Sequence, residues 1–261
     1  MPTDHLLYEP GTIARIVFNN PARHNAVSLA MWQAADEAVA AAAASAETRV
    51  LIVTGAGGKA FVSGADISKF ESERASEEAV RAYNETSDRM YGRLHAFPKP
   101  TIAAIQGYCV GGGVALASCC DIRIATEGSK FAIPAAKLGL GYGWKGVRRL
   151  VDIIGPSFTK ELFYTARQFS AADAAVMGLV NRVVPEGDFA TFVSEYAQTI
   201  AANAPLTVAQ IKHTVNEVVK DAADRDIAAT ERLIAGCFAS ADYKEGRTAF
   251  LEKRKPAFRG M

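Results

Sequence analysis

The chain has 261 residues, 49% of them apolar and 22% charged, with 29 basic side chains against 28 acidic ones. That length suits one large domain, or a domain with an appendage, around a sizeable core, and the composition is that of an ordinary globular protein. The balanced charge excludes the electrostatic footprint of a nucleic-acid or anionic-membrane binder, and the most apolar stretch, AADEAVAAAAASA from Ala34, is broken by Asp36 and Glu37 and too short to span a bilayer.

The N-terminal stretch MPTDHLLYEPGTIAR shows no basic start followed by an apolar run, so no signal peptide and a cytoplasmic location are expected. Residues 12–18 (TIARIVF) alternate apolar and polar and predict a strand. Residues 19–23 suit a loop. Ser28 is placed to cap a helix running through the alanine tract to about residue 46. VLIVT (50–54) is a continuous apolar run before GAGG, hence a buried strand, and FVSG (61–64) reads as a short strand entering a turn. A helix is expected from Ser76 to His95, ending before Pro98-Lys99-Pro100. Then come a buried strand over 101–106, a helix starting at Gly111 and a strand over 122–125. This alternation predicts an α/β core. From Phe189 onward only helical periodicity remains, broken at Asn203-Ala204-Pro205. Ile211, Val215, Val218 and Val219 share one face, and Ile227, Leu233, Ile234 and Phe238 fit further turns. Two regions are therefore expected, a core over 1–200 and a helical region over 201–261.

The four cysteines, Cys109, Cys119, Cys120 and Cys237, have neither metal-ligand spacing nor the look of a disulfide framework, so buried reduced thiols are expected. His5, His24, His95 and His213 fall on separate elements, so no metal is expected.

The segment TIAAIQGYCVGGGVALAS reads as strand, turn and glycine-rich helix start. The first N–H groups of a helix lack intrahelical acceptors, the dipole adds partial positive charge there, and glycine lets a ligand approach the backbone. Three uses stay open: a phosphate cradle, an oxyanion hole, or close helix packing. The Lys-Ser/Thr of a P-loop and the spaced glycines of a dinucleotide fold are absent. A second stretch, AFVSGADI (60–67), also ends an apolar strand in a glycine turn, with an N–H at Ala65. Two such turns can aim two amides at one oxygen.

The motifs AFVSGADI, FPKPTIAAIQGYCVGGGVALASCCDIRIA, KFAIPAAKLGL and SAADAAVMGLVNRVV, in that order, resemble the crotonase (enoyl-CoA hydratase/isomerase) superfamily over nearly the whole chain. The resemblance implies a spiral of ββα turns with a C-terminal helical oligomerisation region, a homotrimer or dimer of trimers, and a coenzyme A thioester as substrate, with no further cofactor. It implies that the thioester carbonyl sits between the N–H groups of Ala65 and Gly112, with Gly111 alongside. Coenzyme A would lie near Arg23, His24, Ala65, Asp66 and Ile67, and near Phe250 and Lys253 of the tail.

Hydratases of the superfamily use two glutamates. By motif match one falls at Ala115 and the other at Ala135, and isomerases typically use the second. Water addition needs a base and an acid, and alanine is neither. A reaction that supplies its own electrons fits better: loss of carbon dioxide from a malonyl-type thioester leaves an enolate without a base. The C-terminal half, through KELFYTARQFSA, NAPLTVAQIK and DYKEGRTAFLEKRKPAF, is similar to methylmalonyl-CoA decarboxylase, and LGLGYG puts Tyr142 where that enzyme has a site tyrosine. The chain departs from that decarboxylase at Ala65, where it has a histidine, and in the helix after the glycines, where it has a glutamate. Decarboxylase- or isomerase-like chemistry through a thioester enolate is therefore expected, with hydration through substitute groups and a non-catalytic thioester binder as the rival readings. Tyr142 can orient a carboxylate, donate a proton or simply pack. Trp144 is a candidate for the acyl pocket and Lys145 for an anionic acyl group. Lys137, read on one strand with Ala135, is a further candidate, whereas Asp66 and Asp121 suit capping or pairing.

Overall fold

The computed structural model describes residues 3–66, 69 and 76–261. Strand β1 (Leu6–Glu9) runs antiparallel to β2 (Ile13–Phe18). The parallel strands β3 (Val50–Gly55), β5 (Thr101–Ile105), β7 (Ile122–Thr126) and β10 (Arg182–Val184) extend that pair into a sheet of order β1-β2-β3-β5-β7-β10. A second sheet holds β4 (Ala60–Val62), β6 (Tyr108–Val110) and β8 (Lys130–Ala132) in parallel, closed by antiparallel β9 (Phe169–Ser170).

Helix α1 (Leu29–Ala44) precedes β3, α2 (Glu77–His95) follows β4, α3 (Gly112–Ala117) follows β6, and α4 (Ala135–Leu138) follows β8. The chain thus places one strand in each sheet and then a helix, three times over: β3-β4-α2, β5-β6-α3, β7-β8-α4. This is the expected ββα spiral. Next come α5 (Trp144–Thr165), which breaks at Gly155 with φ 71° before Pro156, and α6 (Ala171–Val176). The remaining helices are α7 (Phe189–Ala201), α8 (Pro205–Val218), α9 (Ile227–Ala239) and α10 (Ala241–Leu251).

The continuous apolar runs are explained by burial on both faces of the large sheet. Leu51, Val53, Ala103, Ile105 and Ala125 face the main core with α1, while Val50, Ile52, Ile102, Ala104 and Ile124 pack on Phe189, Val193 and Ala197 of α7. The alanines of α1 let α2 approach closely. Asp36, on the same helix, accepts from Arg89 at 2.9 Å and Arg93 at 2.7 Å. Ser28 caps α1 through Met31 N–H, as expected, and Ser76 caps α2 through Ala79 N–H.

Three local expectations need correction. Residues 106–110 are not one turn: at Gly107, φ 67°, the chain leaves the large sheet and enters β6 of the second sheet. Gly111 caps rather than opens its helix, at φ 54°, and α3 starts at Gly112. Ala135 and Lys137 do not share a strand: β8 stops at Ala132, and Pro134 caps the short α4, on which Lys137 is exposed.

The C-terminal helices carry their apolar face outward, with Ile211 54% and Phe238 62% exposed, and α9 buries no residue. Arg49 ties the tail to the sheet by donating to the carbonyls of Ala201 (2.9 Å) and Phe258 (2.6 Å). Asp121 accepts from Thr101 N–H and from Lys212, and so pairs as expected. Cys109, Cys119 and Cys120 are buried free thiols, and Cys237 is partly exposed. Among the described residues no helix is long and apolar enough to cross a membrane.

Candidate active site

The two glycine turns meet. Val27 bridges the end of β4: its N–H donates to Gly64 O (2.8 Å) and its carbonyl accepts from Asp66 N–H (3.0 Å). In extended backbone, successive N–H groups point to opposite sides. Val27 therefore occupies one edge, and the N–H of Ala65 projects from the other, with no acceptor among the described residues. Gly112 supplies the first N–H of α3, which has no carbonyl of its own helix to bond. A methyl added to Gly112 would lie 3.7 Å from Gly64 Cα, and one added to Gly64 would lie 3.9 Å from Gly112 N. Both are ordinary contact distances, so the turns stand directly against each other; φ 109° favours glycine at Gly64, and a methyl on Gly112 would press on Tyr91 Oη at 3.2 Å.

An aromatic wall holds them. Trp32 Nε1–H donates to Tyr83 Oη at 2.8 Å, and that hydroxyl donates to Val27 O at 3.2 Å. Tyr91 Oη–H donates to Gly112 O at 3.2 Å, and its ring lies edge-on to Trp32 with centroids 5.1 Å apart. One phenol thus braces the strand beside Ala65, and the other braces the glycine helix. Neither tyrosine stands out in the sequence, which carries no motif over α2. The signal available was Tyr83, Met90, Tyr91 and Leu94 at helical spacing on one face of α2.

Ala135 is buried in the main core, and Ala115 is buried on α3. Tyr142 packs edge-on to Phe163 with centroids 4.8 Å apart. Burial pushes its phenol up to about 12, with Arg149 the largest opposing charge. Burial, and then the nearby Tyr142, raises Tyr91 as well. Cys119 Sγ–H donates to Ala115 O, and burial pushes that thiol up to about 11, so it is no nucleophile at neutral pH.

On the other side of the Ala65 turn, Arg23 reaches Asp66 at 3.2 Å, and the His24 ring stands edge-on to Tyr108. His24 and Asn25 are both left-handed, at φ 52° and 54°. The buried Asn25 side chain holds this strain by donating to the carbonyls of Ala56 (2.9 Å) and Ala60 (2.7 Å) and accepting from Asn20 N–H (2.8 Å). Arg23 and Asp66 therefore meet, His24 O accepts from Ser63 N–H at 3.2 Å next to the Ala65 turn, and Ile67 lies outside the described residues. Trp144, Phe250 and Lys253 are not brought to this cluster within one chain. Trp144 opens α5 and is 76% exposed, Phe250 is 84% exposed on α10, and Lys253 is exposed just beyond it. Among the described residues no group of three potential metal ligands forms.

Comparison with known proteins decides the family, because an enoyl-CoA hydratase/isomerase family model matches residues 9–261. The chain belongs to the enoyl-CoA hydratase/isomerase family. It is 36% identical to a crotonyl-CoA hydratase of Syntrophomonas wolfei, covering 97% of this chain and 96% of that one. It is 34% identical to a short-chain-enoyl-CoA hydratase of Clostridium acetobutylicum, over 96% of this chain and 95% of that one. Among solved structures, an enoyl-CoA hydratase/carnithine racemase of Magnetospirillum magneticum superposes with a TM-score of 0.94 at 35% identity, covering 99% of this chain and 97% of that one. The two-sheet spiral is therefore the fold of the crotonase superfamily, whose members act on acyl-CoA substrates.

Proposed function

We propose that this family member stabilises a thioester enolate between the N–H groups of Ala65 and Gly112, and that it forms that enolate by decarboxylation rather than from an enoyl double bond. The observation that carries the reading is the pair of buried alanines, Ala115 and Ala135, at the positions matched to the two hydratase glutamates. The carboxylate beside the site, Asp66, is engaged by Arg23.

In the proposed step the C–C bond to the acyl carboxylate breaks, its electron pair moves into the thioester carbonyl, and carbon dioxide leaves. The oxygen then carries the charge that the two amides receive; each such donor is worth roughly 10²–10³ in rate. The α-carbon takes back one proton, and Tyr142, kept protonated by burial, supplies it. An isomerase-like path needs a base at the position Ala135 occupies, so decarboxylation fits better.

The hydratase names of the relatives support a second reading, in which other groups deliver water. Incubation with methylmalonyl-CoA and with crotonyl-CoA, followed by mass spectrometry of each product, separates the two. Loss of one carbon dioxide is the expected result. Gain of one water by crotonyl-CoA overturns the argument from the alanines. The outward apolar face of α8 and α9 further supports assembly as a homotrimer or dimer of trimers.

A further inference from the structure

We infer that Arg149 is the specificity residue of this site, a receptor for a carboxylate at the far end of the acyl group. The inference rests on the acyl-CoA reading of the site but not on decarboxylation.

Arg149 lies on α5, and its Nε is sealed from solvent without a hydrogen-bond partner. A guanidinium is always charged and offers five N–H donors in a planar fork, so sealing one without an acceptor costs free energy unless a ligand supplies the acceptor. Among the described residues no carboxylate lies within ion-pairing distance of it. Asp152 and Asp121, which with Arg149 act on His95, are committed elsewhere, and so is Asp221. Arg148 takes Asp152 at 3.0 Å and Asp221 at 3.6 Å, and Lys212 takes Asp121 at 2.8 Å.

The position points to the acyl end of a ligand. The Arg149 guanidinium carbon is 6.0 Å from the centre of the Tyr91 ring, and Tyr91 Oη bonds Gly112 O at 3.2 Å. One phenol ring therefore separates the unpaired cation from the glycine whose N–H would hold the thioester oxygen. Tyr142 and Cys119 feel the same charge. His95, also near Arg149, is held below its usual range by burial and then by that arginine, so it stays neutral and adds no competing cation. The coenzyme A side of the site, with Arg23 and His24, lies across the Ala65 turn. A planar fork beside two phenols matches a carboxylate in geometry and charge.

The chemistry sets the sign in kinetics. A pair kept throughout the reaction binds ground and transition states alike and acts through KM; where the paired carboxylate is the one that leaves, the pair is lost in the transition state. In either case Arg149→Gln should raise KM without lowering kcat.

The test is the affinity ratio between matched thioesters, measured by calorimetry: glutaryl-CoA against valeryl-CoA, and sulfoacetyl-CoA, which cannot lose carbon dioxide, against butyryl-CoA. In the wild type the anionic member of at least one pair should bind about ten- to hundredfold tighter, the range of a charge-assisted hydrogen bond. Arg149→Gln should bring that ratio near one, and Arg149→Lys should keep part of it. A wild-type ratio near one in both pairs overturns the proposal, as does a ratio that survives Arg149→Gln. Should Arg149→Gln fail to fold, Arg149→Lys and the wild-type ratio still decide. Preference for an anionic thioester with no carbon dioxide released from methylmalonyl-CoA sinks decarboxylation and leaves Arg149 standing; release without preference does the reverse.

Discussion

Gly113→Ala tests the close approach of the two turns most directly. Gly113 is the second residue of α3 and is buried against the end of β4. A methyl at this position would stand 3.0 Å from the carbonyl carbon of Val62 and 3.2 Å from Val62 Cβ, with the Val62 oxygen closer still. Carbon atoms rest at about 3.5–4.0 Å, so helix and strand must part by roughly half to one ångström. Backbone is the obstacle on one side and helix on the other, so no rotamer change relieves it. Overpacking of this kind costs about 1–3 kcal/mol. A displacement of that size between Ala65 and Gly112 should also lower turnover by about a hundredfold. Urea denaturation and steady-state kinetics on the active thioester read the two effects. Gly111→Ala is the control: a methyl there meets nothing within 4 Å, and only the positive φ of 54° is strained. With ψ −110° this conformation lies outside the left-handed region other residues adopt, so the change should cost about 1–3 kcal/mol by backbone strain alone, without the contact on Val62 that Gly113→Ala creates. Wild-type stability and turnover in Gly113→Ala would refute the packing argument.

Tyr142→Phe should keep the packing on Phe163 and lower decarboxylation by about 10²–10⁴, the usual worth of a general acid. Because burial raises the phenol to about 12, the wild-type rate should show no loss from Tyr142 ionisation between about pH 7 and 10, where a free phenol begins to titrate; a falling limb near 10 would speak against Tyr142 as the donor. Asp36→Asn should destabilise the fold by about 1–3 kcal/mol at neutral pH, a buried-pair cost reduced because both arginines are partly exposed. Burial pushes the Asp36 carboxyl up, but the bonds from Arg89 and Arg93 outweigh it and leave it below the usual range. That stability is present above the ordinary carboxylate pKa and is lost as pH falls through the folded value, so thermal melts of wild type and variant should converge in acid. Val218→Glu with Phe238→Glu should dissociate any oligomer closed by the C-terminal face. Light scattering reads the mass, and an unchanged mass would place the interface elsewhere.

Much of the frame is local and therefore legible in the sequence. VLIVT and TIAAI are uninterrupted apolar runs because their strands are covered on both faces. Ser28 and Ser76 sit where helices need capping oxygens. The glycines before Ala65 and at Gly112 announce backbone that something must approach. The motifs also carried the family, and with it the two-sheet spiral that periodicity alone did not name. Tertiary structure decided what depends on pairing between distant segments. Parallel pairing of β4 with β6, Val62 opposite Cys109, is what brings Gly64 beside Gly112. The same folding sets Tyr83 of α2 under Val27 and Tyr91 under Gly112, and leaves Arg149 without an acid. It also turned the apolar stripes of α8 and α9 outward. Periodicity says that a helix has an apolar face, but not whether its own chain covers that face. A side chain's neighbours across the core are fixed by strand register and helix packing, which no local window of residues contains.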